Sequence, residues 1–271
     1  MRARGWAFVA IAGLCLSTAT LAAQRSERFT PEVGQPGKDV VWVPTPEPLV
    51  TKMLDLARVG PHDFVIDLGS GDGRNVIGAA RRGARALGVV YNPDMVELSR
   101  RKAAEAGVEG RAKFERGDMF QADISRATVM ALFLLPSNLR QLEPKFLALA
   151  PGSRIVSNTF LIGDWTPDAS VAVDDACEMW CEAYLWIVPA QAAGHWRLGD
   201  GELSLTQTYQ KLTGTMTTNG RSAPVTGTLR GQEIEIRSGG ASWHGRVRGD
   251  TLELRASDGR RIKADRKRQQ P

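Results

Sequence analysis

From residue 41 to about residue 160 the period of the apolar positions keeps changing. Short unbroken apolar runs, typical of strands buried on both faces, alternate with stretches whose apolar residues recur at three- and four-residue steps, as in helices that bury one side. Val41-Trp42-Val43-Pro44 reads as a short extended piece. Thr45-Pro46-Glu47-Pro48 then reads as a helix start, with Thr45 placed to cap and proline tolerated in the first turn. The helix that follows turns Leu49, Val50, Met53, Leu54 and Leu56 to one side. Strands are predicted over 63–67, 84–91, 112–118, 128–134 and 155–160, and helices over 73–82, 92–106 and 138–150. Strands joined through helices imply a parallel sheet with helices on both faces, an α/β fold.

The pattern then changes twice. Residues 169–189 read as a hairpin, with Val171 and Val173 alternating before Tyr184-Leu185-Trp186-Ile187-Val188. From residue 194 to 265, runs such as Leu203-Ser204-Leu205-Thr206 and Leu252-Glu253-Leu254 alternate at period two between glycine turns, and no helix is visible. This predicts a small antiparallel β domain, a meander or partial barrel, with Trp196, Tyr209 and Trp243 in its core. Residues 24–40 carry Pro31, Gly34, Pro36 and Gly37 and read as an extended lead-in.

Composition modifies this picture at the two ends. With 271 residues, 42% of them hydrophobic and 24% charged, the chain can bury a large core. Arg2 and Arg4 precede an uncharged run over 5–23 that finishes in Ala22-Ala23, which predicts a cleaved signal peptide over 1–23 and a periplasmic or secreted protein. The alternative is a permanent anchor, but small and hydroxyl residues dilute a run near the lower length limit, so no stable membrane span is expected after cleavage. Cys177 and Cys181 then remain, either joined in a short disulfide or as two buried thiols. His62, His195 and His244 have no metal-ligand spacing, and no metal is indicated. The net charge of +5 loses two with Arg2 and Arg4, and residues 266–271 form a basic tail. That is too little basic character to predict a nucleic-acid partner.

The candidate chemistry lies where the first strand opens into a turn. Asp67-Leu68-Gly69-Ser70-Gly71-Asp72-Gly73 places an acid at the strand end and glycines at alternate positions before a helix. Dinucleotide folds space their glycines differently, with the third inside the helix. The pattern resembles motif I of the class I S-adenosylmethionine (SAM) methyltransferases, which implies a Rossmann-like methyltransferase sheet with SAM as cofactor. Together with Val43-Pro44-Thr45-Pro46, Tyr91-Asn92-Pro93, Leu134-Leu135-Pro136 and the segment from Phe160 to Trp165, residues 41–190 resemble bacterial relatives of the ATP synthase c-subunit lysine methyltransferase family. The resemblance implies cofactor binding by Thr45, Asp67, Gly69, Ser70, Gly71, Gly73, Asn92, position 90 and Asp118. Asp67 would place the methionine part and Asp118 the adenine amino group. It also implies a methyl acceptor, with a protein lysine as one candidate.

Position 90 departs from that family. An acid that binds the ribose hydroxyls is expected there, and this chain has Val90, in Gly88-Val89-Val90-Tyr91-Asn92-Pro93. No general base stands out. Asn138 and Trp165 follow predicted strand ends and are the catalytic candidates, Asn138 to orient an amine through its carbonyl and Trp165 to face a cation. Two alternatives stay open from sequence: a secreted ligand-binding module on the same fold, and a methyltransferase acting on small molecules.

Overall fold

In the computed structural model, the described residues are 29–173 and 177–267. The expected signal peptide over 1–23 and the end of the basic tail lie outside them. The first lobe runs α1 (Glu47–Leu56), β1 (Phe64–Leu68), α2 (Arg74–Arg81), β2 (Arg85–Val90), α3 (Pro93–Glu105), β3 (Ala112–Arg116), β4 (Val129–Leu132), α4 (Pro136–Leu147), β5 (Arg154–Asn158), β6 (Ala169–Ala172) and β7 (Glu182–Ile187). Its strands form one sheet in the order β3-β2-β1-β4-β5-β7-β6. The first five are parallel, and β7 runs antiparallel to both β5 and β6. The chain steps outward from β1 to β3 and then returns to place β4 on the other side of β1. A crevice therefore opens beyond the carboxyl ends of β1 and β4. Ile66, Leu68, Met130, Leu132, Leu142, Phe146 and Ile155 are buried in the core of this lobe.

Several local expectations change. β1 runs one residue past its predicted end, to Leu68, while the next four strands stop one or two residues earlier than predicted, so Phe133 already lies beyond β4. Thr45 does not cap α1, whose N-cap is Pro46. Its hydroxyl instead accepts a hydrogen bond from Asn158 Nδ2 at 3.3 Å. The lead-in is not extended throughout. Gly37 N–H donates to Val40 O, and Trp42 N–H and Gly34 N–H bond across to Gln35 O and Trp42 O, folding residues 34–42 into a hairpin.

Residues 194–266 form a closed barrel: β8 (Gly194–Leu198), β9 (Gly201–Thr208), β10 (Lys211–Thr218), β11 (Arg221–Arg230), β12 (Glu233–Ser238), β13 (Ala241–Arg248), β14 (Thr251–Ala256) and β15 (Arg261–Arg266). Neighbouring strands pair antiparallel in sequence order, and β15 closes onto β8. Closure removes the exposed edges that a partial barrel would leave. Trp196, Leu203, Leu212, Ile236 and Leu252 fill the interior. Gly245 allows the tight curvature, since a Cβ there would lie 1.7 Å from the Glu253 carbonyl oxygen. The closing seam is short and registers only Asp265 with Arg197 and Arg266 with Trp196.

Arg266 therefore belongs to the barrel rather than to a solvated tail. Its guanidinium lies 4.2 Å from the centre of the Trp196 ring, pairs with Asp250 at 3.1 Å, and donates to the carbonyls of Gln191 and Ala193. Tyr209 leaves the barrel core to join the two lobes. Its ring stacks on Trp165 with centroids 5.6 Å apart and 3° between planes, and its hydroxyl donates to Glu143 at 2.9 Å.

Candidate active site

The loop between β1 and α2 is held from three sides. Gly69 and Ser70 both donate their amides to Val89 O, and Ser99 Oγ on α3 donates to Gly71 O at 2.9 Å. Asp72 turns back under the loop and takes two hydrogen bonds from Arg74, at 3.0 and 2.8 Å, and one from Lys102 at 2.5 Å. Burial would raise the Asp72 carboxyl, but these cations outweigh it and hold it below the usual carboxylate range. Arg74 also donates to Thr45 O at 2.5 Å, so the same cluster ties the loop to the segment that leads into α1. Neither Asp72 nor Lys102 is marked in the sequence, because their partnership spans 30 residues.

Gly71 and Gly73 have different jobs. At Gly71, with φ 54°, a Cβ would lie 2.8 Å from Trp42 Nε1, so only a bare backbone lets the Trp42 indole approach. At Gly73, with φ 83°, a Cβ would meet the Phe114 ring at 2.6 Å. Gly73 thus serves helix entry and packing and does not line the cleft, which corrects its assignment to the cofactor. Ser70 lines the cleft, and its hydroxyl packs against Gly88.

The crevice encloses about 950 Å³, counting its open mouth. Thr45, Asp67, Gly69, Gly71, Val90 and Asn92 line it, with the hairpin from Gln35 to Trp42 across it. Asp118, Asn138 and Trp165 do not. Asp118 caps its own turn through Phe120 N–H at 2.8 Å and pairs with Lys38 of the hairpin at 2.9 Å. The Lys38 bond, followed by the Phe120 amide, lowers its pKa. Asn138 sits inside α4 rather than at its cap and donates to Asp39 O at 3.2 Å, so its role is to anchor the hairpin. Trp165 is buried in the joint with the barrel, and its ring is covered by Tyr209. It cannot face a cation in the cleft. Asn92 Oδ1 caps α3 by accepting from Asp94 N–H at 2.8 Å, so that oxygen is already engaged.

Asp67 is the charged group at the bottom of the cleft. Only 3% of it is exposed, and Asn75 Nδ2, at 3.1 Å, is its one hydrogen-bond donor among the described residues. Burial, with the nearby charge of Asp72, pushes the Asp67 carboxyl well above the ordinary range, and the Asn75 bond only partly offsets this. Asn75 Oδ1 is itself buried without a partner among the described residues. A desolvated carboxylate beside an unpaired amide oxygen fits the ammonium end of SAM, and the bare Gly69–Gly71 backbone leaves room beside it.

This arrangement has a pH consequence. The folded protein binds the Asp67 proton more tightly than the unfolded chain does, so its contribution to stability is complete below the ordinary carboxylate range. It is lost as pH rises through the raised pKa. A cation that replaces the proton cancels that loss. The thermal shift produced by SAM should therefore grow as pH rises above the ordinary carboxylate range, as scanning fluorimetry with and without SAM would measure, and should be flat over the same range in Asp67→Asn.

A family model described as the ANTKMT methyltransferase domain matches residues 67–169. The protein-lysine N-methyltransferase of Saccharolobus islandicus is 40% identical over 152 residues, covering 55% of this chain and 94% of that protein. The ATP synthase c-subunit lysine N-methyltransferase of Mus musculus is 41% identical over 120 residues, 44% of this chain and 47% of that protein. The chain thus spans nearly all of the archaeal relative and about half of the mouse one. A solved RNA methyltransferase from Salinibacter ruber, in complex with S-adenosyl-L-homocysteine, is 46% identical with a TM-score of 0.52, covering 55% of this chain and 95% of that one. With the strand order, the Asp67 cleft and these relatives together, the chain belongs to the SAM-dependent methyltransferases of the ANTKMT type.

Proposed function

We propose that this protein methylates the ε-amine of a protein lysine outside the cytoplasm. The observation that carries the acceptor class is the match along 94% of the archaeal protein-lysine N-methyltransferase. Export is supported by the Cys177–Cys181 disulfide, a bond that persists in oxidising compartments, and by the residue pattern over 1–23.

When bound, SAM supplies an electrophilic methyl group, which the amine lone pair takes up as the carbon–sulfur bond breaks with its electron pair left on sulfur. A lysine amine with an ordinary pKa near 10.4 must first give its extra proton to solvent water. Thr159 Oγ1 donates to Asn158 Oδ1 at 2.8 Å, and Asn158 Nδ2 donates to Thr45 Oγ1 at 3.3 Å. This uncharged chain runs from the end of β5 to Thr45 in the cleft and leaves the Thr45 oxygen a second lone pair with which to orient an amine N–H. Desolvation in the same place favours the neutral amine. In this reading Asn158 and Thr159 act through Thr45, in place of the catalytic role expected of Asn138 and Trp165.

The test is incubation of the mature protein with labelled SAM and fractionated cell-envelope proteins, cellular RNA and small metabolites in separate arms, followed by mass spectrometry. Label on lysine Nε of envelope proteins is the expected result. Label confined to RNA or to small molecules would overturn the proposal.

A further inference from the structure

Beyond the carboxyl ends of β4 and β5 three aromatic rings meet. Phe133 and Phe160 stack with centroids 6.2 Å apart and 19° between planes. Trp180 leans on both, 5.8 Å from Phe133 and 5.5 Å from Phe160, at 58° and 52°. All three are half-buried, so parts of their faces stay open to solvent. Phe133 also lines the SAM cleft. The cluster therefore begins at the cleft wall and runs outward over the strand tips.

Trp180 comes from the chain between β6 and β7, inside the loop closed by the Cys177–Cys181 bridge. It stands at φ 61°, a left-handed conformation that bulky residues rarely adopt. The described residues 177–182 of this loop read Cys-Glu-Met-Trp-Cys-Glu, with two carboxylates and no basic residue. Leu135, Leu161 and Met179 are three of the six exposed large apolar side chains among the described residues, and each lies within two positions of one of the rings. An aromatic wall with an apolar lip and only acidic charge in its loop suits an alkyl chain ending in a cation. Ring faces attract ammonium groups, and carboxylates raise the local concentration of cations.

We infer that Phe133, Phe160 and Trp180 form the acceptor wall that receives a lysine side chain, ammonium or methylated, and that the disulfide holds Trp180 in this wall. The inference deepens the lysine reading above and rests on it for the identity of the acceptor. It makes acceptor binding, and not SAM binding, sensitive to reduction.

Calorimetric titration of the protein loaded with S-adenosyl-L-homocysteine tests it, using Nα-acetyl-trimethyllysine methylamide and the uncharged Nα-acetyl-norleucine methylamide as probes. The wild type should prefer the cationic probe. Trp180→Leu should weaken that binding about tenfold or more, and Phe160→Leu and the Cys177→Ser/Cys181→Ser variant about threefold or more. Affinity for S-adenosyl-L-homocysteine should stay within about twofold in all, which also shows that each variant is folded. Equal binding of the two probes by the wild type, or unchanged binding in both Trp180→Leu and Phe160→Leu, would overturn the inference. Selective binding without transfer to any amine would instead overturn the lysine reading and leave the wall standing.

Discussion

Asp67→Asn loses at least about a hundredfold in affinity for SAM while the protein without SAM stays folded. The size follows from where the carboxylate sits. It is buried, has one hydrogen bond from Asn75, and has no basic partner among the described residues, so a bound ammonium depends on it for its countercharge. Leaving one member of a buried ion pair unmatched costs about 3–5 kcal/mol, a factor of more than a hundred in binding. The fold is spared for the same reason. Asparagine keeps the shape and an oxygen for the Asn75 donor, and it removes a charge that burial makes expensive. The variant should therefore melt no lower than the wild type at neutral pH, and higher if the wild-type carboxylate is ionised there. Titration calorimetry with SAM and a thermal melt without it check both halves. A variant that binds SAM within about fivefold of the wild type would mean that the ammonium lies elsewhere.

The second large effect runs the other way. Val90→Glu tightens SAM binding by about ten- to a hundredfold, because a hydrogen bond to a charged group contributes about 1.5–3 kcal/mol. Val90 ends β2 on the lining of the cleft, beside Tyr91 and Gly117. Its neighbourhood is already cationic, since Lys38 and Arg116 both lie over the Tyr91 ring at 5.5 and 5.7 Å. A carboxylate there meets little electrostatic resistance. Among the side chains nearby, Asn92 Oδ1 is committed to the α3 cap and Asp118 to Lys38 and its own turn, so neither acceptor stands ready to replace the missing acid. Equal affinity of the variant and wild type would show that the ribose is held by backbone or that the sugar lies away from position 90.

The sheet and the SAM loop were readable because both are set by local rules. A buried parallel strand needs an apolar run, and a turn that passes under Trp42 and against Phe114 needs residues without Cβ at 71 and 73. The closure of the barrel was not readable, because a period of two shows which side of a strand is buried but not whether the last strand finds the first. Trp165 was misread for a related reason. An aromatic residue just after a strand can wall a site or pack a joint, and its partner Tyr209 comes from the far lobe, well beyond the reach of any local pattern. The aromatic wall depends on Phe133, Phe160 and Trp180 coming together from three separate segments. No spacing in the sequence signals that meeting.

The short seam between β15 and β8 sets where the barrel yields. Its other strand pairs are zipped along five or more residues, so thermal fluctuation should unlatch the ring at Asp265 and Arg266 first and open it into a curved ribbon. The Arg266 clamp over Trp196 then acts as the catch on that opening. In the unlatched state the outer strands would bare the very backbone groups that closure conceals, so the lifetime of the catch, more than the packing of the core, governs how long the molecule resists sticking to its own kind.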